Sequence, residues 1–298
     1  RNLLEIGKKE IVLTGVDLTS YQEAGLSLGG LVRLILKEFP ELPRLRLSSI
    51  DCVEADDQLL QMFGEDERLC PHLHLSLQSG NDLILKRMRR RHLRGDAIQF
   101  CANLRKARPD IIFGADFIVG FPTETDEMFT DTCRLVNECG LTYLHVFPFS
   151  PRPETPAAKM KLTAHQIIKV RSEKLRLLGN QKKLDHWQAV AIAACEQCGL
   201  NLVPEVLAPI SLHEWLNSSD LPVSKFVLAP EKEQKDVLAG IQPELALLIG
   251  PEGGLSENEI TQANQAGFMN WCIGDRVLRT ETAPVVALSI LNYRFLSI

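Results

Sequence analysis

No stretch of this sequence is apolar for long enough to cross a membrane as a helix. Nor is there an excess of positive charge. A net charge of −5 gives no global field to draw in nucleic acid, so any RNA contact has to come from local patches. The cysteines, eight in all, are scattered, without the disulfide framework of a small secreted domain, which points to a reducing cytoplasm. Cys195 and Cys198 make one close pair, but a second pair at zinc-finger spacing is missing, so no metal site is assigned. The chain also lacks a leading methionine. It opens Arg1-Asn2-Leu3-Leu4-Glu5, a helical pattern, and reads as a fragment whose targeting signal, if it had one, is out of view.

What is present is an ordinary globular composition, 45% apolar and 24% charged, with a mean hydropathy near zero. At 298 residues the chain has room for about two domains. The stretch that carries the most information is Leu247-Leu248-Ile249-Gly250-Pro251-Glu252-Gly253-Gly254-Leu255-Ser256. Its apolar opening predicts a buried strand that ends in a loop without bulky side chains, where backbone amides come close to a ligand. Ser256 then caps a helix, and Glu259 completes a capping box. A plain strand-to-helix turn accounts for this run taken alone. It accounts less well for the second run, Ile273-Gly274-Asp275-Arg276-Val277-Leu278-Arg279-Thr280-Glu281-Thr282-Ala283, where another strand ends in polar residues.

Together the two runs resemble the SPOUT class of RNA methyltransferases, and within it the family that methylates N3 of a uridine in 16S ribosomal RNA. Lys183 to Gly199, followed by Val203-Pro204-Glu205-Val206, is similar to that family's helix and following strand entry. The resemblance covers Lys182 to Phe295. It implies an α/β trefoil-knot domain, here lacking its first strand and helix, with S-adenosylmethionine held bent in the knot. Carried over by position, the cofactor pocket uses Leu228, Gly250, Glu252, Gly253, Ile273, Leu278, Thr280 and Ala283. Strands are predicted at 225–229, 245–250 and 270–274, and helices at 231–240, 257–266 and 282–295. In the last helix Val286, Ala287, Ile290 and Leu291 form a stripe at helical spacing, which is core by default and in this family also supports a homodimer that binds RNA.

The first half alternates short β-rich runs (10–17, 44–49, 72–79, 111–120 and 143–150) with helical patterns (28–39, 56–63, 96–108 and 124–139) at about thirty-residue intervals. Such repetition predicts a parallel sheet or barrel with helices outside, and polar residues gather where its strands end. This half resembles the radical-SAM methylthiotransferases acting on threonylcarbamoyladenosine in transfer RNA. The resemblance rests on Leu13-Thr14-Gly15-Val16-Asp17, Arg46-Leu47-Ser48-Ser49-Ile50, His74-Leu75-Ser76-Leu77-Gln78-Ser79-Gly80, the run Gly114 to Thr125, and His145 to Arg152. It implies a cofactor wall including Gln78, Asp116, Gly120, Pro122 and Glu124. The family also needs an iron–sulfur cluster on closely spaced thiolates, and Cys52, Cys70, Cys101, Cys133 and Cys139 are too dispersed to reproduce that run. This half is expected to be an incomplete, inert barrel.

The dense basic run Lys86-Arg87-Met88-Arg89-Arg90-Arg91-His92-Leu93-Arg94 fits a solvated helix face as well as an RNA phosphate contact. A long helix is predicted over 163–199. The two resemblances change over at Gly179-Asn180-Gln181-Lys182 inside it, so the expected domains are 1–180 and 181–298. The alanine-rich setting of Cys195 and Cys198 predicts a buried helix face. His186 and His213 read as surface or capping residues, and Trp187 and Trp215 as core. For the chemistry, Arg279 is the candidate for orienting the uracil or stabilising its anion, and Glu281 and Glu252 for accepting the N3 proton; helix capping explains the two carboxylates equally well. The leading expectation is an S-adenosylmethionine-dependent RNA methyltransferase. A transfer-RNA methylthiotransferase and a non-catalytic remnant stand as alternatives.

Overall fold

The structure is a computed structural model that describes every residue except Ala24, 230–237, Ala239, Asp275 and 297–298, and leaves out the side chain of Leu296. It divides into two compact units, Arg1–Ala208 and Pro209–Ile298.

The first unit runs α1 (Asn2–Glu5), β1 (Glu10–Leu13), α2 (Leu28–Glu38), β2 (Arg44–Leu47), β3 (Ser49–Ile50), α3 (Asp57–Glu65), β4 (His72–Gln78), α4 (Asp82–Arg87), α5 (Arg94–Ala107), β5 (Ile112–Val119), α6 (Asp126–Glu138), β6 (Leu141–Pro148) and α7 (His165–Cys198). The helices start where side chains can satisfy free backbone amides. Ser27, Asp56, Asn81 and Thr125 each accept from an amide in the first turn of α2, α3, α4 and α6. All strand pairs are parallel, β1 with β2 and then β3-β4-β5-β6 in order. The segment 44–50 serves both sheets. Its first part pairs with β1, Ser48 N still donates to Leu13 O at 2.9 Å, and its end pairs with β4. The strands thus follow one another in chain order, as expected of part of a (β/α) barrel.

Alternation along the strands sorts the two faces. Leu73, Leu75 and Leu77 of β4 and Phe113, Ala115, Phe117 and Val119 of β5 are fully buried in one core with the helices outside. Burying a Phe or Leu side chain stabilises by about 2–3 kcal/mol, so this face holds the unit together. The opposite face carries His74, Gly114, Asp116 and Ile118. The residues that could do chemistry therefore share the side the helices do not cover.

The second unit runs α8 (Leu212–Leu216), β7 (Ser224–Leu228), β8 (Leu245–Leu248), α9 (Glu257–Gln265), β9 (Met269–Trp271) and α10 (Ala283–Leu296). Its sheet is parallel with β7 in the middle, order β8-β7-β9. Trp215 packs on Phe268, with ring centroids 5.5 Å apart, on one side of the sheet; Trp271 packs on Phe226 at 5.9 Å on the other. Both units are α/β with parallel sheets.

Several expectations change. The boundary between compact units falls after α7, not inside it, because α7 lies along β6 and β5 and belongs to the first unit. The helix expected at 231–240 lies outside the described residues. The basic run, read as a helix face or a phosphate contact, has only Lys86 and Arg87 in the last turn of α4 and reaches α5 at Arg94. Residues 203–206 form no strand; Val206 N instead donates to Gln188 Oε1 of α7 at 2.8 Å. After Gly179 only Cys195 of α7 is buried, so Ala191–Ala194, Cys198 and Trp187 are not the core surface their composition predicts. In α10 the buried stripe is Ala283, Ala287 and Leu291, at spacing four; Ile290 is exposed.

Candidate functional site

Because β8, β7 and β9 are parallel, their carboxy-terminal ends and following loops leave the sheet along one edge. The loop after β8 (249–256) and the loop after β9 (272–282) face each other there across a cleft of about 890 Å³. Leu228, Gly250, Glu252, Gly253, Ile273, Leu278, Thr280 and Ala283 all line it, and so do Arg279 and Glu281. Thr280 Oγ1 donates to Gly250 O at 3.2 Å and ties the loops together. Gly250 is required by packing: a β-carbon there would stand 2.9 Å from Leu255 N and 3.1 Å from Gly254 C, inside the turn. Gly254 (φ +76°) and Gly274 (φ +69°) take the left-handed conformations that close the two loops.

Ser256 accepts from Glu259 N at 3.3 Å, and Glu259 Oε2 accepts from Ser256 N at 2.8 Å, the reciprocal cap expected at the start of α9. The amide and hydroxyl of Ser256 hold the Glu259 carboxyl below its ordinary range. Arg279 and Glu281 stand open to solvent, with Nη1 and Oε1 3.7 Å apart, and Glu252 is exposed as well. These exposed charged groups share the cleft with the apolar side chains of Leu228, Ile273, Leu278 and Ala283. Sequence reasoning missed Cys272 and Arg276, which also line the cleft. Cys272 Sγ donates to Gly274 O at 3.3 Å. Their position in the same post-strand loop is the signal that could have found them. A cleft of this size, bounded by two glycine-containing loops and lined by apolar residues with a few charged ones, fits a nucleoside-bearing ligand.

The first unit has a second cavity, of about 810 Å³. Of the five residues expected to form a cofactor wall, Gln78 and Asp116 line it; Gly120, Pro122 and Glu124 do not. The last three are buried instead. Glu124 accepts from Gly120 N at 2.9 Å and forms a buried ion pair with Arg171 of α7 at 2.7 Å. Burial pushes its carboxyl pKa up, against the opposing pull of the Gly120 amide and Arg171.

The basic run is largely used within the fold. Arg90 binds Asp51 (2.9 Å) and Ser76 O (2.8 Å), Arg91 pairs with Glu54, and Arg94 donates to Gly80 O (2.8 Å) and Asp131 O (2.6 Å). The described residues also do not fit an iron–sulfur cluster. All eight cysteines are free thiols, and neither group of residues close enough to hold a metal contains more than one of them. Burial raises the thiol pKa of Cys52 to about 12, the reverse of a ligand poised as thiolate. Spacing assigned no metal site, yet the fold gathers Asp51, Cys52 and His92 in one group and His74, Asp116 and His145 in another. Among the described residues no helix is long and apolar enough to cross a membrane.

Residues 1–136 match the family model of the radical SAM superfamily, and residues 158–292 that of the RNA methyltransferase domain. Among curated proteins, the chain is 50% identical over 182 residues to the threonylcarbamoyladenosine tRNA methylthiotransferase MtaB of Rickettsia prowazekii, covering 59% of this chain and 42% of that protein. It is 46% identical over 156 residues to the enzyme of the same name from Thermotoga maritima, covering 52% and 36%. The chain spans less than half the length of these relatives. Among solved structures, the S-adenosylmethionine-bound ribosomal RNA small subunit methyltransferase E of Neisseria gonorrhoeae is 38% identical, with a TM-score of 0.35, over 38% of this chain and 48% of that one. This polypeptide therefore joins a segment that matches the radical SAM superfamily to one that matches the RNA methyltransferase domain.

Proposed function

We propose that the cleft of the second unit binds S-adenosylmethionine and that the chain methylates RNA, the substrate position being N3 of a uridine in 16S ribosomal RNA. The observation that carries this reading is the convergence of the two post-strand loops, tied through Thr280 and Gly250, on one cleft. Loop 249–256, with Gly250 and Gly253, brings backbone close to the ligand, while Leu228, Ile273, Leu278 and Ala283 exclude water from its adenine. Once bound, the cofactor supplies an electrophilic methyl group. Uracil N3 ionises roughly two units above neutral pH, so exposing its anion costs about 3 kcal/mol. Arg279 orients the uracil carbonyl oxygens and stabilises that anion, and Glu281 or Glu252 receives the N3 proton, directly or through water.

Two further parts of the reading concern assembly and the first unit. Val285, Leu288 and Tyr293 are exposed on α10 and support a homodimer through this helix. The first unit performs no radical chemistry with the residues described, since they offer no set of converging thiolates. Calorimetric titration with S-adenosylmethionine, followed by labelled-methyl transfer to small-subunit RNA, tests the proposal. Arg279→Ala is expected to lower transfer by about 100-fold or more with cofactor affinity nearly unchanged. A loss of cofactor affinity as large as the loss of transfer would remove Arg279 from the chemistry.

A further inference from the structure

We propose that His74, Asp116 and His145 of the first unit bind a divalent first-row transition-metal ion, with zinc the best-fitting occupant. The three residues come from neighbouring strands. Asp116 is on β5, and β4 and β6 flank it. Asp116 pairs in register with His145, and Gly114, two residues earlier on the same face, pairs with His74. One carboxylate is therefore flanked by two imidazoles on the sheet face that the helices leave open.

The distances are those of a ligand set. His74 Nε2 lies 2.9 Å and His145 Nδ1 3.2 Å from the same oxygen, Asp116 Oδ1. The three donor atoms are all within 4.8 Å of one another. Ligands held about 2.0–2.1 Å from a tetrahedral ion stand about 3.3 Å apart, so small movements admit the ion. Two imidazole nitrogens and one carboxylate oxygen suit zinc or its first-row neighbours, whereas calcium and magnesium take oxygen ligands. The His74 ring is placed by what β5 lacks at position 114: a β-carbon there would collide with the imidazole. The site is open on one side. The side chains of His74 and Asp116 are 11% and 22% exposed but that of His145 is 61% exposed, leaving room for a water or a substrate atom as a further ligand. Asp116 also lines the cavity of the first unit. A hydrogen-bonded His–Asp–His chain without metal is the competing account, and only binding separates the two.

The test uses the whole chain, stripped with a chelator and titrated with zinc against a chromophoric competitor. The expected result is one equivalent bound per chain, with His145→Ala and Asp116→Asn each weakening binding by about ten-fold or more, and Cys195→Ser/Cys198→Ser leaving that equivalent in place. Cobalt substitution is expected to give visible ligand-field bands without thiolate charge-transfer absorption. Circular dichroism and the thermal transition check that each variant is folded, and exposed His145 decides the matter should Asp116→Asn fail to fold. Absence of a saturable equivalent, unchanged affinity in folded His145→Ala, or a thiolate band in the cobalt protein would overturn the proposal.

Discussion

Arg68 shows how one side chain can hold an element in place. Its Nη2 donates to Leu36 O at 2.8 Å and its Nη1 to Phe39 O at 3.2 Å, capping the end of α2. Asp66 in turn fixes the guanidinium with contacts of 3.0 and 2.6 Å. The Arg68 hydrogen bond, outweighing partial burial, lowers the Asp66 carboxyl below its ordinary range. A carboxyl whose folded pKa is depressed contributes stability above its unfolded pKa of about 3.9 and loses it as pH falls through the folded value. Asp66→Asn should therefore be less stable than the parent at pH 7, and the gap should close on going from about pH 4 downward. Urea unfolding at several pH values measures this, and a gap constant with pH would dismiss the charge as its source. The two sides of the pair are partly exposed, so the effect is modest.

Among the elements, α7 lies along β6 and is also held to the rest of the first unit by a buried cluster. Arg171 bonds Glu124 and, at 2.7 Å, Asp126 at the start of α6, and its guanidinium lies over the Phe129 ring at 5.6 Å. Leu175 and Gly179 complete the seat. Removing one partner leaves a buried charge alone, so Arg171→Ala should destabilise the unit by about 3–5 kcal/mol. Glu124→Gln added to Arg171→Met should recover part of that loss, since neither remaining group is then charged. Chemical denaturation of the single and double variants gives the comparison, and equal losses would argue against an uncompensated charge. The same cluster explains why Glu124, expected beside a cofactor, serves α7 instead. Sequence periodicity placed most strands and helices within a few residues, because alternation in β4 and β5 and the caps at Ser27, Asp56 and Thr125 are local signals. It could not foresee that Arg90, Arg91 and Arg94, between α4 and the start of α5, are satisfied by Asp51, Glu54 and backbone oxygens brought in from elsewhere in the chain.

At the scale of the whole molecule, the two compact units have separate cores, one large and one built from two small clusters around β7. Scanning calorimetry should resolve two transitions. On the proposed function, S-adenosylmethionine at about 100 times its Kd should stabilise the second unit by about 2.7 kcal/mol and leave the other transition in place. A ligand that shifts both transitions equally would contradict separate units, and one that shifts neither would contradict the cleft as its site.

The sequence by itself determined the α/β character, because short-range chemistry specifies it: alternation along the strands, a serine and glutamate that cap a helix, and polar residues at strand ends; the two segments and most cleft residues of the second unit were legible through motif resemblance. Tertiary structure alone decided which charges are free and which are spent. It joined Glu124 to Arg171, 47 residues apart, and His74 to Asp116, 42 residues apart. The packing of α7 sets the first meeting and parallel strand pairing the second, and the spacing of residues along the chain carries no record of either.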